Sequence, residues 1–403
     1  MRNIAKQNSD WSPFLFGVIV VHSLLMQALT FSFRPALSYA ALEAGLPAAA
    51  LGVLSAAFAL PGLLLAIPAG RRADRTGERG IAALGGGLML AAAGIALLWH
   101  TSAGALIVAT IVFGSGHMLA AIAVQTLISH RAPVARRDSV FGGYAFAIAL
   151  GQGIGGALLS VGSGDSATPD FPLQATIGLG LGLGCLLLPS LIPAARRTEA
   201  TISRPAPLPI TDLLRRPGVA RAIGACAVVV AAVEISLVYL PALGYERGLP
   251  AAAVSGMLVA RSVAAMVSRL GLGWQVRAIG RRRLMVGSIA VSAAALLGLA
   301  LPLDVFWVIA LCAVFGFSNG VCQPLTLSWL TEISPPRQHG TLTSVRLAAV
   351  RIAQSALPTA VGALSAITGS GGVLAVTGVL VGGAAWLVSA IGAPPASRDE
   401  EAS

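Results

Sequence analysis

Long apolar stretches follow one another along the whole chain, and they constrain its fold more than any other feature. A hydrocarbon layer of about 30 Å is crossed by a helix of roughly 20 apolar residues. Twelve stretches reach this length, at about 13–38, 48–70, 81–100, 104–127, 139–161, 172–194, 219–241, 251–274, 284–302, 305–330, 342–366 and 371–393. Because a lipid-exposed backbone must satisfy its own hydrogen bonds, we expect each stretch to be a transmembrane helix.

The overall composition agrees with this interpretation. Charged residues make up 11% of the chain and hydrophobic residues 56%. A soluble domain carries about 25% charged residues, because its surface faces water. A soluble fold of this length is therefore excluded, and the solvent of the protein is largely lipid.

The net charge of +11 is concentrated in alternate loops. Arginines cluster in RRADRTGER (71–79), RAPVARRD (131–138), the segment 195–216 and RAIGRRR (277–283). The few charged residues of the intervening loops are mostly acidic. This positive-inside pattern predicts that the Arg-rich loops and both termini are cytoplasmic. We expect a multi-pass protein of a cell inner membrane, and the basic charge does not indicate a nucleic-acid partner.

The hexapeptide GLPAAA occurs at 45–50 and again at 248–253, an offset of 203 residues. Further pairs share this offset: Gly70 with Gly273, Gly77 with Gly280, and Arg79 with Arg282. Six helices per copy give both copies the same orientation, which predicts a parallel repeat. We divide the chain into an N-terminal six-helix bundle (1–194), a cytoplasmic linker (195–218), a C-terminal six-helix bundle (219–393) and a cytoplasmic tail (394–403).

The decapeptide GRRADRTGER (70–79) resembles the loop motif of the major facilitator superfamily, roughly G-x-L-a-D-r-x-G-r-r. It matches that motif at Gly70, Asp74, Arg75, Gly77 and Arg79. It departs at Arg72, where a Leu is usual, and at Glu78, where a basic residue is usual. The resemblance implies an all-α integral membrane protein with 12 transmembrane helices in two parallel repeats. It also implies that the five matching residues form a cytoplasmic gate; a solvated basic loop is the alternative.

Three ionisable residues are predicted to lie deep in the bilayer, where charges are costly and mark functional candidates. At 1.5 Å per residue, Arg261 and Arg351 fall near the midplane and Glu234 slightly to its outer side. Two cations against one acid leave a positive charge that an anion would neutralise. Guanidinium groups bind carboxylates through two hydrogen bonds. A structural ion pair of Glu234 with Arg261 or Arg351 is the alternative.

Other polar residues at membrane depth extend this candidate site. Gln354 follows Arg351 by three residues and shares its helix face. Arg34 either lines the outer mouth of the cavity or extends to the interface. The remaining candidates are Gln27 for substrate binding, and His22 and His117, which can titrate near neutral pH or simply bond neighbouring helices.

These residues predict a secondary active transporter that works by alternating access. Arginines in the eighth and eleventh helices make the chain similar to the oxalate and monocarboxylate branches of the superfamily. We therefore predict a small organic anion, a carboxylate, as substrate, with proton or anion coupling. The alternatives are efflux of amphipathic drugs or metabolites by proton antiport, and a non-transporting membrane sensor or assembly factor.

The sequence offers no pattern for catalysis or cofactor binding. It has no G-x-x-x-x-G-K-[ST] phosphate loop, which argues against direct use of ATP. Its four cysteines lie in apolar stretches at no metal-ligand spacing. We expect no enzyme activity, no cofactor and no metal. The expected partners are a small-molecule substrate, the lipid bilayer and protons, with no nucleic acid, and we expect a monomer.

Overall fold

The computed structural model describes residues 11–133, 136–193, 218–332 and 339–390. Nearly all of the predicted linker and the whole predicted tail lie outside these residues. The described residues form twelve long α-helices: α1 Pro13–Glu43, α2 Ala49–Thr76, α3 Glu78–Trp99, α4 Ala103–Arg131, α5 Arg137–Leu158, α6 Phe171–Leu187, α7 Val219–Glu246, α8 Ala251–Leu270, α9 Arg281–Leu299, α10 Val305–Glu332, α11 His339–Ala363 and α12 Ser365–Ser389. The predicted all-α, twelve-helix fold is confirmed.

Two shorter elements accompany the long helices. A 3₁₀ turn, Leu188–Leu191, follows α6, and a short helix, Leu272–Ile279, connects α8 to α9. Among the described residues, ten of these helices are long and apolar enough to cross a membrane. The other two are α2, which contains Pro61 and Pro68, and α11, which contains arginines.

The repeated GLPAAA sequence forms the same turn in both halves. Gly45 and Gly248 follow α1 and α7 with φ of 81° and 61°, a region that favours glycine. Leu46 N donates to Ala41 O at 3.0 Å, and Leu249 N donates to Gly244 O at 2.9 Å. These bonds are the six-to-one bonds of a Schellman motif, which satisfies the last carbonyls of a helix. The repeat seen in the sequence is therefore a repeat of backbone conformation.

The helices also pack as two equivalent sets. In the first half, α1 packs against α5 and α6, α2 against α4, and α3 against α4 and α6. In the second half, α7 packs against α11 and α12, α8 against α10, and α9 against α10 and α12. Each contact of the first set becomes one of the second when six is added to the helix number. The halves meet where α2 packs against α11, α5 against α8, and α1 against α7.

Several contacts between the halves lie at the helix ends that carry the GLPAAA turns, which we call the GLPAAA side. The Tyr239 hydroxyl donates to Ala48 O at 3.2 Å, and Ser255 Oγ donates to Gly156 O at 2.7 Å. Gly52 packs directly on the Pro358 carbonyl, where an added Cβ would lie 2.5 Å from the oxygen. These contacts hold the two halves together on the GLPAAA side.

Candidate functional site

A chain of hydrogen bonds connects the two halves at the centre of the helices. Arg34 Nη1 donates to Glu234 Oε2 at 2.5 Å, which forms an ion pair between α1 and α7. Gln354 Nε2 on α11 donates to Glu234 Oε1 at 3.3 Å. Arg351 Nη1 in turn donates to Gln354 Oε1 at 3.1 Å. Glu234 is therefore paired with Arg34, whereas the sequence had suggested Arg261 or Arg351 as its structural partner.

Arg34 is held in place from two sides. Its side chain is only 4% exposed, and its guanidinium carbon lies 3.9 Å from the centre of the Phe58 ring on α2. This distance is a close cation–π contact. The alternative that Arg34 extends to the membrane interface is wrong, because the side chain is buried against Phe58 and Glu234.

Arg261 lies apart from this hydrogen-bonded chain. Its Nη1 has a long contact of 3.5 Å with Ser236 Oγ, and its guanidinium carbon lies 5.3 Å from the Phe31 ring centre. Among the described residues its Nε and Nη2 atoms have no hydrogen-bond partner. The structure thus brings Arg351 and Gln354 together with Glu234, whereas the direct contacts of Arg261 are with the neutral side chains of Ser236 and Phe31.

The backbone at Arg261 is equivalent to the backbone at Phe58 in the other half. A Cβ added to Gly114 on α4 would clash with the Phe58 carbonyl oxygen, and one added to Gly316 on α10 would clash with the Arg261 carbonyl oxygen. Glycine permits this close approach of two helices. The second and fourth helices of each half therefore cross at the same point.

Different side chains occupy these equivalent positions. The offset of 203 residues relates Phe31 to Glu234, Arg34 to Leu237, and Phe58 to Arg261. Arg34, on the first helix of the first half, stacks on Phe58, and Arg261, on the second helix of the second half, stacks on Phe31. The two arginines are therefore not at equivalent positions of the repeat. The charged site arises where the two repeats differ in sequence while their backbones remain alike.

The remaining polar candidates divide between this site and other places. His117 Nδ1 lies 3.1 Å from Thr30 Oγ1, and its ring centre lies 5.4 Å from that of Phe58, next to the ion pair. Gln27 is buried against Gly151 of α5. His22 is also buried, but it lies twelve residues before Arg34, about 18 Å along α1. His22 is therefore remote from the cluster.

The residues of the predicted cytoplasmic gate lie at the junction of α2 and α3. Gly70, Asp74 and Arg75 belong to α2, but the side chains of Asp74 and Arg75 are outside the described residues. Gly77 precedes α3 with φ of 88°, and Gly280 precedes α9 with φ of 84°. Arg79 is exposed in the first turn of α3. The turn is thus repeated in both halves, and the gating role remains a prediction.

Glu78, a departure from the motif, forms a buried ion cluster that the sequence did not predict. Its Oε2 accepts a hydrogen bond from Arg131 Nη2 at 3.0 Å. Its Oε1 lies 3.0 Å from His130 Nδ1. Arg131 Nη1 also donates to Pro193 O at 3.0 Å. The acidic residue in the motif and the adjacent basic pair at the end of α4 were the available sequence signal.

Comparison with known proteins supplies a family. The family model described as Major Facilitator Superfamily matches residues 19–274 and 223–403. No curated protein matches the chain by sequence.

Several solved structures share the fold. A point mutant of the nucleoside transporter NupG has a TM-score of 0.79 at 14% identity, covering 94% of this chain and 99% of its own. The D-xylose-proton symporter has a TM-score of 0.74 at 18% identity, covering 94% and 98%. A second NupG structure has a TM-score of 0.73 at 14% identity, with the same coverage as the symporter.

Proposed function

Because the chain belongs to the major facilitator superfamily, we propose that it is a secondary active transporter that moves a small organic anion by alternating access. The family makes it a membrane transporter rather than an enzyme. The substrate class we propose is a carboxylate, moved with protons or in exchange for another anion. From the Arg-rich loops we further propose an inner membrane location with both termini in the cytoplasm.

The observation that carries this proposal is the charge balance around Glu234. Within the described part of the site, three guanidinium groups, those of Arg34, Arg261 and Arg351, stand against the single carboxylate of Glu234. Glu234 compensates Arg34, whereas the nearest polar partners of the other two arginines are a neutral amide and a neutral hydroxyl. Excess charge at bilayer depth is costly. A bound anion would remove that cost.

Arg351 is the group best suited to bind the anion. Its Nη1 contacts Gln354, which itself contacts Glu234, so the guanidinium is oriented by a connected set of polar groups. A guanidinium presents its donors in a planar fork that matches a carboxylate. We propose that the substrate carboxylate binds Arg351, with Gln354 as its neighbour and Arg261 contributing positive potential.

Glu234 supplies a route for coupling. A carboxylate that shares its arginines with an anionic substrate competes with that substrate, and protonation of Glu234 would end the competition. Proton binding at Glu234 and substrate binding at Arg351 would then favour each other, as symport requires. His117 lies beside the ion pair and is the second candidate for proton transfer.

Uptake by proteoliposomes tests the proposal. The panel contains mono- and dicarboxylates, a neutral sugar, a nucleoside and an amphipathic cation, each with and without a pH gradient. We expect carboxylate uptake that is abolished in Arg351→Ala and strongly reduced in Arg261→Ala. Arg346→Ala is the matched control, since it removes a positive charge from the same helix outside the hydrogen-bonded chain. Uptake of neutral or cationic compounds that survives both substitutions would favour amphipathic efflux, and no flux of any compound would contradict transport.

A further inference from the structure

A basic groove lies at the ends of the helices opposite the GLPAAA side. It is bounded by the end of the short helix Leu272–Ile279, by the first two turns of α9 and by the end of α12. Its volume is about 810 Å³. Three consecutive arginines (281–283) line it together with the aliphatic side chains of Ile279 and Val286. The groove therefore offers both positive charge and apolar surface.

The positive charge of the groove is not balanced within the elements that form it. The short helix, α9 and α12 contain no acidic residue. The offset of 203 residues relates Arg277 to Asp74 and Arg281 to Glu78, so the equivalent turn of the first half carries acids where this one carries bases. The basic character is thus not inherited from the repeat. It gives the second half a surface that is complementary to an anionic partner.

The two walls of the groove are joined at one end and leave space between them. Arg282 Nη2 donates to Ser389 O at 2.7 Å, which satisfies one of the last carbonyls of α12. The next residue, Arg283, is exposed. One turn further along α9, a Cβ added to Gly287 would meet no atom within 4 Å. The groove thus continues from the arginines along the apolar part of α9.

Exposed tryptophans indicate the level at which the groove meets the membrane. Trp274 on the short helix is 67% exposed, and Trp386, three residues before Ser389 on α12, is 70% exposed. Tryptophan is enriched at the boundary between membrane and water, where its ring lies among the lipid headgroups. The groove therefore opens at the level of the headgroups, with its arginines on the water side of Val286 and Gly287.

We propose that this groove binds an anionic phospholipid. The headgroup phosphate accepts hydrogen bonds from Arg282 and Arg283, because guanidinium groups match phosphate oxygens in charge and geometry. An acyl chain lies along Ile279, Val286 and Gly287, a surface that a free phosphate would leave uncovered. Basic pockets between transmembrane helices on the cytoplasmic side, which we propose this side to be, bind such headgroups. The site is separate from the one around Glu234 and goes beyond the proposed transport function.

Native mass spectrometry of the full chain in detergent tests this site. Phosphatidylglycerol and phosphatidylcholine, which differ in net charge, are titrated separately. We expect the unmodified protein to prefer phosphatidylglycerol, and Arg283→Gln to weaken that lipid about fivefold, as loss of one arginine near a headgroup predicts. Binding of phosphatidylcholine should not change. Arg136→Gln is the matched control, because Arg136 is exposed at the same ends of the helices, before α5 and outside the groove.

A second variant tests the apolar part of the groove without a change of charge. Gly287→Leu fills the groove from α9 and should weaken binding of phosphatidylglycerol. Gly224→Leu is its control, because Gly224 is exposed at a similar depth in α7 and a Cβ there also meets no atom within 4 Å. Leucine is a better helix former than glycine, so both variants should fold.

Four results would overturn the proposal. The first is equal binding of the two lipids by the unmodified protein. The second is an equal loss in Arg136→Gln, which would mean that only the general surface charge matters. The third is displacement of phosphatidylglycerol by the same concentration of inorganic phosphate. The fourth is a preference that appears only after Asp399→Asn, Glu400→Gln and Glu401→Gln, which would make the acidic segment at 399–401 the occupant. No transported substrate is present, so these results do not depend on whether the proposed transport function is correct.

Discussion

The Arg34 guanidinium on α1 and the Glu234 carboxylate on α7 approach to 2.5 Å, and this ion pair joins the two halves of the protein. The partners belong to different repeats and occupy positions that are not equivalent under the repeat. Any rocking of one half against the other must carry this pair along or break it. In the transport mechanism that we propose, the pair is therefore a point at which binding of an anion and movement of the halves would influence each other.

Separating the two partners by mutation should reveal their mutual interaction. Removing one member of a buried pair leaves an uncompensated charge, which costs more than removing both. We expect Arg34→Met and Glu234→Gln each to lower the free energy of unfolding. The sum of these two losses should exceed the loss measured for the double variant. The coupling should be of the order of 0.5–3 kcal/mol. Unfolding of the four proteins in detergent measures it, and strictly additive effects would show that the pair does not interact.

A second prediction concerns Gln354, which lies between Glu234 and Arg351. Gln354→Glu places a second carboxylate beside Arg351, where it would occupy the guanidinium that we assign to the substrate. Hydrogen bonds to charged groups contribute about 1.5–3 kcal/mol, so we expect the KM for the carboxylate to rise by about tenfold or more.

The comparison variant for this prediction is Gln354→Ala. It removes the hydrogen bonds of Gln354 with both Arg351 and Glu234 but adds no charge, so its KM should rise less than that of Gln354→Glu. Concentration-dependent uptake in proteoliposomes gives both values. Equal KM values for the two variants would mean that the charge of the site does not select the substrate.

The depth of the charged residues was predictable from the sequence, but their partners were not. Counting residues along a helix indicates how far Glu234 and Arg351 lie from its ends. It does not indicate which face turns towards the other half. Arg34 was ambiguous for this reason, because its ion pair and its stacking on Phe58 both depend on how α1 packs against α2 and α7.

The turns were predictable in more detail, because they are local. Gly77 and Gly280 occur at the offset that also relates the two GLPAAA segments, and both adopt positive φ before a helix. A glycine in a tight turn is specified by its neighbours in the chain. The cluster of Glu78 with Arg131 instead joins residues 53 positions apart and needs the packing of α3 on α4.

A third prediction concerns closure on the GLPAAA side. Gly52 leaves no space for a side chain against the Pro358 carbonyl, so Gly52→Leu should prevent α2 and α11 from closing. Ser38 is buried and lines a small cavity together with Leu54 and Ser55, which follow Gly52 on α2. Ser38→Cys should then react faster with a membrane-impermeant thiol reagent added from the GLPAAA side. Transport should slow at the same time.

The control for this prediction is Gly17→Leu, because a Cβ at Gly17 meets no other atom within 4 Å. It makes the same change in size in a helix of the same half. Labelling of Ser38→Cys should be unchanged in this variant. If Gly52→Leu also leaves the labelling rate unchanged, the Gly52–Pro358 contact does not control access to the site.

The last prediction concerns Glu78, which is 3% exposed and accepts from Arg131. Glu78→Arg introduces the basic residue usual in the motif, but here it would bury one guanidinium against another. Loss of a buried ion pair costs about 3–5 kcal/mol, and we expect the Tm and the yield of folded protein to fall accordingly. Glu78→Arg combined with Arg131→Glu restores opposite charges and should recover part of the loss, though not the bond from Arg131 to Pro193. Unfolding in detergent compares the three proteins. A Glu78→Arg variant as stable as the parent would show that the motif tolerates either charge and that the cluster contributes little to the fold.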